Sequence, residues 1–311
     1  HLHILRYPVD ERNCDQMNFG EIVSGKSQRW RLVEKLGEGD AGEVYLVESL
    51  LARNAAIIKR PHREALTNEI LRQAAQIRTE RRILHALRVY LLSDLEGIAA
   101  VPEVMDASPD EATFGEQFFL VIQKASGMDL QSLSRAVHFG HIPDDYLQGP
   151  SIAERQIIDR AIEQGKIPEI LLLRSLYSLI QLFEKIHFLE VSVEGDQYAG
   201  IIWNDVKPDH IFWNPQLSQF TFIDWGNSRF LNADGITENR QASRLDDYDQ
   251  FLQAMGRFLQ EAGPELYERL EWPEDISHTN AYSDGIKPLA ARIELALEEK
   301  LEGLRLSLIH I

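Results

Sequence analysis

Apolar and polar positions alternate along Trp30-Arg31-Leu32-Val33-Glu34-Lys35-Leu36, and a short apolar run, Val44-Tyr45-Leu46-Val47, follows shortly after. Two strands joined by a glycine-containing turn are therefore predicted, and Ala55-Ala56-Ile57-Ile58 adds a third that ends on Lys59. The period then changes: Thr79 to Leu87 sets Ile83, Leu84 and Leu87 on one helical face. Val101–Met105 reads as a short strand, Asp106–Glu116 as a polar loop, and Gln117–Ile122 as a continuous buried strand. Residues 131–168 read as a long polar insertion with a helix near Ile152–Gln164. A strong helix follows from Ile170 to Leu189, with Leu172, Leu176, Leu179, Phe183 and Ile186 in its stripe. His187 near its end reads as a core or capping residue. Ile201-Ile202 and Phe220–Ile223 are short apolar runs, each leading into an acidic residue. Asp246-Asp247-Tyr248-Asp249 opens a further helix whose acids suit its N-terminus, and two more helices are expected between residues 261 and 305.

Composition narrows this only a little. The 311 residues, 44% hydrophobic and 26% charged, suffice for one large domain or two lobes. No apolar run is long enough for a membrane span, and no signal-peptide pattern opens the chain. The single cysteine, Cys14, excludes an internal disulfide framework and points to a reducing compartment, hence a cytoplasmic location. A net charge of −17 disfavours nucleic acid or an anionic membrane as partner. The start at His1 and the apolar close Leu304–Ile311 read as the ends of a piece of a longer frame.

Three places carry chemistry. Gly37-Glu38-Gly39-Asp40-Ala41-Gly42-Glu43-Val44 has the G-x-G-x-x-G-x-V spacing, which lets backbone N–H groups approach phosphates where side chains would collide. Dinucleotide-binding folds share the spacing, but here a strand rather than a helix follows the glycines. Lys59 closes an apolar run, so its ammonium needs a partner; Glu80 is the candidate and Glu69 its rival. Asp205 and Asp224 end two neighbouring apolar runs, nineteen residues apart (205 to 224), and two such carboxylates can converge. One would hold a metal while the other orients a nucleophile.

These stretches together resemble the protein kinase family. Asn204-Asp205-Val206-Lys207-Pro208 and Asp224-Trp225-Gly226 are similar to its catalytic and metal loops, and the order of motifs matches over residues 30–260. The resemblance implies an α+β, two-lobed fold: a small antiparallel β lobe with one main helix, and a larger helical lobe. Its boundaries would be an extension at 1–28, the small lobe at 29–124 and the large lobe at 125–311. It implies ATP as cofactor with Mg2+, Mn2+ being an alternative, and transfer of the γ-phosphoryl to the hydroxyl of a protein or small molecule. Gly37, Gly39, Gly42 and Val44 would cover the nucleotide, Lys59 held by Glu80 would contact its phosphates, and backbone groups of Gln123 and Ala125 would meet adenine. Asp205 would orient the acceptor hydroxyl, Lys207 would neutralise developing charge, Asp224 would bind metal, and His210 would stand at the second metal position. Asp246 is the residue expected to buttress the catalytic loop.

The departures define two alternatives. Trp203-Asn204 replaces His-Arg, so no activation through a phosphate docked on that arginine is expected. His210 replaces an asparagine, Ile57 replaces a small alanine, and no Ala-Pro-Glu motif follows. Ile57 and His210 point to a pseudokinase acting as a nucleotide-binding regulatory or scaffold module. The short segment of 227–244, whose hydroxyls are Ser228, Thr237 and Ser243, points to a small-molecule kinase of the aminoglycoside or choline kinase type.

Overall fold

The strand pattern of residues 29–60 becomes a meander of β2 (Arg29–Gly39), β3 (Gly42–Ser49) and β4 (Ala55–Arg60). β1 (Ile22–Ser24) extends one edge; β7 (Leu120–Gln123) and then β6 (Val104–Ala107) extend the other. The order is β1-β2-β3-β4-β7-β6, antiparallel throughout. The computed structural model describes residues 20–63, 65–91, 99–109, 118–140, 163–214, 217–238, 241–273 and 285–309, with side chains to 303. Cys14, Gln117, most of the 1–28 extension and all but the last two residues of the helix expected at 152–164 lie outside these.

One face of the sheet buries Trp30, Leu32, Val47, Ala56, Ile58, Phe119 and Val121, residues two apart along each strand. The opposite face receives α1 (Thr67–Leu91), whose buried stripe runs Ile70, Ala74, Ile77, Leu84, Leu87 and Leu91. Two differences from the sequence reading appear here. Ile22–Ser24, within the stretch assigned to the extension, is an edge strand of this sheet. Asp106 does not open a polar loop: it is buried in β6 and accepts from Trp30 Nε1 at 2.9 Å and from the backbone of Ser27 and Gln28. A buried carboxylate fed by these three N–H groups and by that of Ala107 locks the β1–β2 turn to β6, a partnership invisible along the chain.

The chain leaves this sheet at Lys124–Gly127 and enters a second one, β5 (Ala99–Ala100), β13 (Gln219–Phe222), β12 (Ile211–Asn214) and β8 (Met128–Asp129), in that order. β5 lies before the predicted lobe boundary yet pairs with β13. Gly127 makes the crossing with φ +93, and a Cβ there would stand 1.8 Å from the Trp213 carbonyl. Asp129 then caps α2 (Leu130–His138) through Ser132 N at 2.7 Å. α3 (Glu169–Ile186) packs against β5, α6 (Lys287–Ile309) packs on α3, and α5 (Pro264–Arg269) packs on α4 (Arg244–Ala262). The hairpin β9 (Val191–Val193)–β10 (Asp196–Tyr198) and the pair β11 (Ile201–Ile202)–β14 (Arg229–Phe230) complete the described strands. The result is a mixed α+β structure with a curled antiparallel sheet on one side and a helical body on the other. None of the described helices is long and apolar enough to cross a membrane.

Candidate active site

Glu80 sits on the apolar stripe of α1, between Ile77 and Leu84, and is fully buried. A carboxylate in that position needs a cation, and Lys59 of β4 supplies it: Nζ lies 2.7 and 2.9 Å from the two Glu80 oxygens. The same ammonium reaches Asp224 Oδ1 at 2.9 Å. Glu69, the rival partner, is exposed at the start of α1 and takes a weak bond from Gln73 instead. Burial alone would lower the Lys59 pKa, but the charges of Glu80 and Asp224 outweigh it and raise it. Asp224 is held down at about 2, chiefly by Lys59 and against its burial, with His210 and Lys207 adding to the pull. Burial pushes Glu80 up while Lys59 and the Trp225 N–H, 3.2 Å from Oε1, oppose it. One cation thus joins the sheet, α1 and the Asp224 loop.

The backbone places Asp224 with equal care. Its φ of 61° is left-handed, an uncommon choice for a non-glycine residue. The buried Trp203 indole donates to the carbonyls of Ile223 at 3.1 Å and Asp224 at 3.3 Å, fixing that turn. Opposite it, Asp205 accepts from Lys207 Nζ at 2.5 Å and Asn227 Nδ2 at 3.2 Å. Burial would lower the Lys207 pKa, but its contact with Asp205 raises it. His210 closes a short 3-10 turn, Pro208–His210, and lies between the two acids: Nδ1 is 3.7 Å from Asp205 Oδ2, and Nε2 is 3.6 Å from Asp224 Oδ2. Asp205, His210 and Asp224 each offer a ligand atom within 4.8 Å of the others, so the donor set fits a divalent cation.

The glycine turn is a two-residue hairpin in which Gly39 pairs with Gly42. Its tip folds down toward the site. Arg72 of α1 donates to the Asp40 carbonyl at 3.0 Å, and Ala41 stands 3.8 Å from where a Gly226 Cβ would be. The three glycines are not equivalent. Gly42 has φ +116, and a Cβ there would meet the Arg60 carbonyl at 2.2 Å, whereas nothing lies within 4 Å of a Cβ on Gly37 or Gly39. Gly42→Ala is expected to cost about 2–5 kcal/mol from strain and collision. Gly37→Ala and Gly39→Ala should change stability by less than about 1 kcal/mol, so any effect they have would be read in ligand binding. Urea denaturation of the three variants checks the order. Val44 pairs with Lys59 across β3–β4. At the crossing, the Gln123 N–H is already bonded to the Glu103 carbonyl at 2.8 Å, and Ile122 is buried behind it. Ala125 is half-buried beyond it.

A correction concerns the buttress of the catalytic loop. Asp246 does not fill that role: its carboxylate accepts from the Ser243 backbone N–H at 2.6 Å, in a capping box at the start of α4. The next residue, Asp247, is fully buried and accepts from Trp203 N at 2.9 Å, Asn204 N at 2.6 Å and His187 Nε2 at 2.8 Å. His187 is therefore more than a core or capping residue. Sequence reasoning also missed Asn227, which binds Asp205, and Gln250, which bonds both Asn204 and Val206 N. The S-x-x-D spacing of Ser243 and Asp246 was the signal that Asp246 belongs to the cap. The hydroxyls of the short segment are all engaged: Ser228 with the Trp203 carbonyl, Thr237 with Ala242 N, and Ser243 with Leu245 N.

No protein-family model matches the chain. It is 24% identical over 223 residues to the serine/threonine-protein kinase PknD of Chlamydia trachomatis serovar D, and 22% identical over 223 residues to that of Chlamydia muridarum. Each match covers 72% of this chain and 19% of the relative, so the chain spans about a fifth of the length of these relatives. Over that stretch the chain is similar to serine/threonine-protein kinases. A solved structure of vaccinia related kinase 3 aligns with 90% of this chain and 76% of its own, at 14% identity and a TM-score of 0.43. The side chains on either side of the two acids are bonded into the site. Asn204, in place of arginine, adopts φ 58° and bonds Gln250 and the Asn227 carbonyl. Trp225 is buried and donates to the Phe222 carbonyl at 2.9 Å.

Proposed function

We propose that the chain is an ATP-dependent phosphotransferase of the Ser/Thr protein kinase type, moving the γ-phosphoryl of ATP to a hydroxyl. The observation that carries this reading is the single ammonium of Lys59, held at once by Glu80 of α1 and by Asp224. It brings the three elements that must meet around nucleotide phosphates into register. In this reading Gly37, Gly39, Gly42 and Val44 cover the nucleotide, and Gln123 and Ala125 line the adenine edge. Lys59 binds the α- and β-phosphates. Asp205, turned by Asn227, orients the acceptor hydroxyl and takes its proton. Lys207 neutralises charge that develops on the transferred group. Asp224 and His210 would hold a divalent cation, which would supply charge neutralisation to the phosphates. The protein acts in the cytoplasm, without nucleic acid or membrane as partner, on a protein or small-molecule hydroxyl.

The test is transfer from γ-labelled ATP to generic protein substrates and to a panel of amino alcohols and aminoglycosides, with Asp205→Ala as the blank. Loss of a positioned base predicts a fall of about 10²–10⁴-fold in rate. Absence of transfer to every acceptor, with nucleotide still bound, would replace this reading by the pseudokinase one. That alternative draws on Ile57, which faces Ile122 across β4–β7 where a smaller residue would leave room for adenine. A small-molecule acceptor is favoured by the groove of about 440 Å³ beside Asp205 and Lys207, walled by Gln131, Gln253, Arg257 and Glu261.

A further inference from the structure

The geometry points to a cation site in which His210 Nε2 is a direct ligand beside Asp224 Oδ2, so that we infer a preference for Mn2+ over Mg2+. This deepens the phosphotransferase reading and rests on it for the nucleotide, though not for the metal. The tautomer of His210 decides the matter. Nδ1 lies 3.0 Å from the Asp205 backbone carbonyl, which can only accept, so Nδ1 carries the proton. In the neutral ring the lone pair is then on Nε2. A ring nitrogen pinned by a hydrogen bond from its other nitrogen to a backbone carbonyl is the usual way a histidine ligand is oriented and made more basic.

Nε2 faces Asp224 Oδ2 at 3.6 Å, beyond hydrogen-bond length. Two donors at about 2.1 Å from one ion stand roughly 3.0–3.5 Å apart between octahedral and tetrahedral geometry, so a small closure seats both. The carboxylate is divided for the purpose: Oδ1 is bonded to Lys59, and Oδ2 is the oxygen turned toward His210. Asp205 Oδ2 accepts from Asn227, and its Oδ1 from Lys207, so Asp205 is the nearby third acid and not the first ligand. The donor pair is thus one imidazole nitrogen and one carboxylate oxygen. Mg2+ is hard, dehydrates reluctantly and takes oxygen; Mn2+ accepts imidazole as well as carboxylate. Where an oxygen donor would leave the two ions comparable, nitrogen discriminates between them.

The test is pulsed electron paramagnetic resonance of Mn2+ on the wild-type chain, with the metal alone and with a non-hydrolysable ATP analogue. Nitrogen modulation from one imidazole is expected in both arms, and growth on 15N-histidine should alter it. Competition should give Mn2+ an advantage over Mg2+ of about tenfold or more, falling to within about threefold in His210→Asn, which restores an oxygen donor and removes the nitrogen signal. Bound Mn2+ without nitrogen modulation, or no bound Mn2+ in either arm, overturns the inference. The labelled wild-type spectrum decides even where His210→Asn fails to fold. If the ATP analogue changes nothing while the nitrogen signal persists, the nucleotide reading has failed and the metal site stands. If phosphoryl transfer proceeds with no nitrogen signal, the reverse holds.

Discussion

Asp247→Ala is expected to lower the stability of the chain by about 3–6 kcal/mol, and Asp246→Ala by only about 1 kcal/mol. The two acids are adjacent at the start of α4 and look alike in sequence, yet their surroundings differ sharply. Asp247 is fully buried and is the acceptor for three donors: the backbone N–H groups of Trp203 and Asn204, and His187 Nε2. Truncating it leaves all three inside the large core, where each unmade bond to a charged acceptor costs about 1–3 kcal/mol. The His187 ring, stacked on Phe183 at 5.3 Å and set edge-on to Tyr248 at 4.9 Å, has no room to turn toward solvent. Asp246 caps a helix at the half-buried surface, and water replaces most of what it supplies. Against a typical domain stability of about 5–15 kcal/mol, the first change takes a large fraction and the second does not. Asp247→Asn should fall between them, since it keeps one acceptor but turns an amide N–H toward donors. Urea denaturation followed by tryptophan fluorescence measures all three, and equal effects of the two alanine changes would remove Asp247 from the role of buttress. Because Asp247 holds the N–H groups of Trp203 and Asn204 just ahead of Asp205, the proposed phosphoryl transfer should fall in Asp247→Asn even where the protein is folded.

That one-residue displacement illustrates how far the chain could be read before its structure. The glycine hairpin, the strand ending on Lys59 and the stripe of α1 were legible because each is written in local periodicity. Glu80 was legible as the partner of Lys59 because it lies one turn before Leu84, close to the apolar face, at the place where the resemblance to protein kinases implies a glutamate. What stayed hidden depends on contacts between residues far apart in sequence. Asp106 reads as the start of a polar loop because its acceptors' donors, Trp30 Nε1 and the backbone of Ser27 and Gln28, lie 76 or more positions earlier. Asn227 gives no pattern of its own, yet it bonds Asp205 and is tied in turn to Gln76 of α1. His187 reads as an ordinary end to a helix until Asp247 is brought beside it. Periodicity finds the elements and the residues that break them; it does not find the polar pairs that the packing of those elements creates.

Lys59→Met is expected to cost about 3–5 kcal/mol and to abolish nucleotide binding, and a second change separates the two effects. The stability loss has a plain origin. Lys59 is the cation for Glu80, fully buried, and for Asp224, partly buried, and removing it leaves two carboxylates facing each other with none between them. Breaking a buried pair from one side costs about that much because the remaining charge is stranded. Adding Glu80→Gln removes the stranded charge while its amide oxygen still accepts the Trp225 N–H, so Lys59→Met/Glu80→Gln should recover more than about half of the loss. Binding should not recover with it. In the wild type, saturation with nucleotide and metal is expected to stabilise the folded state by about 2.7 kcal/mol at a hundred times the dissociation constant, and a thermal-shift titration reads this directly. The double variant is expected to be folded, less stable than the unliganded wild type by no more than about 2.5 kcal/mol, and indifferent to ATP with either Mg2+ or Mn2+. A ligand-dependent shift that survives in the double variant would mean that the ammonium is a structural link between the sheet, α1 and the Asp224 loop and has no part in holding phosphate. The absence of any shift in the wild type would take away the nucleotide site while leaving the stability prediction intact, since Glu80 needs its cation whether or not ATP is bound.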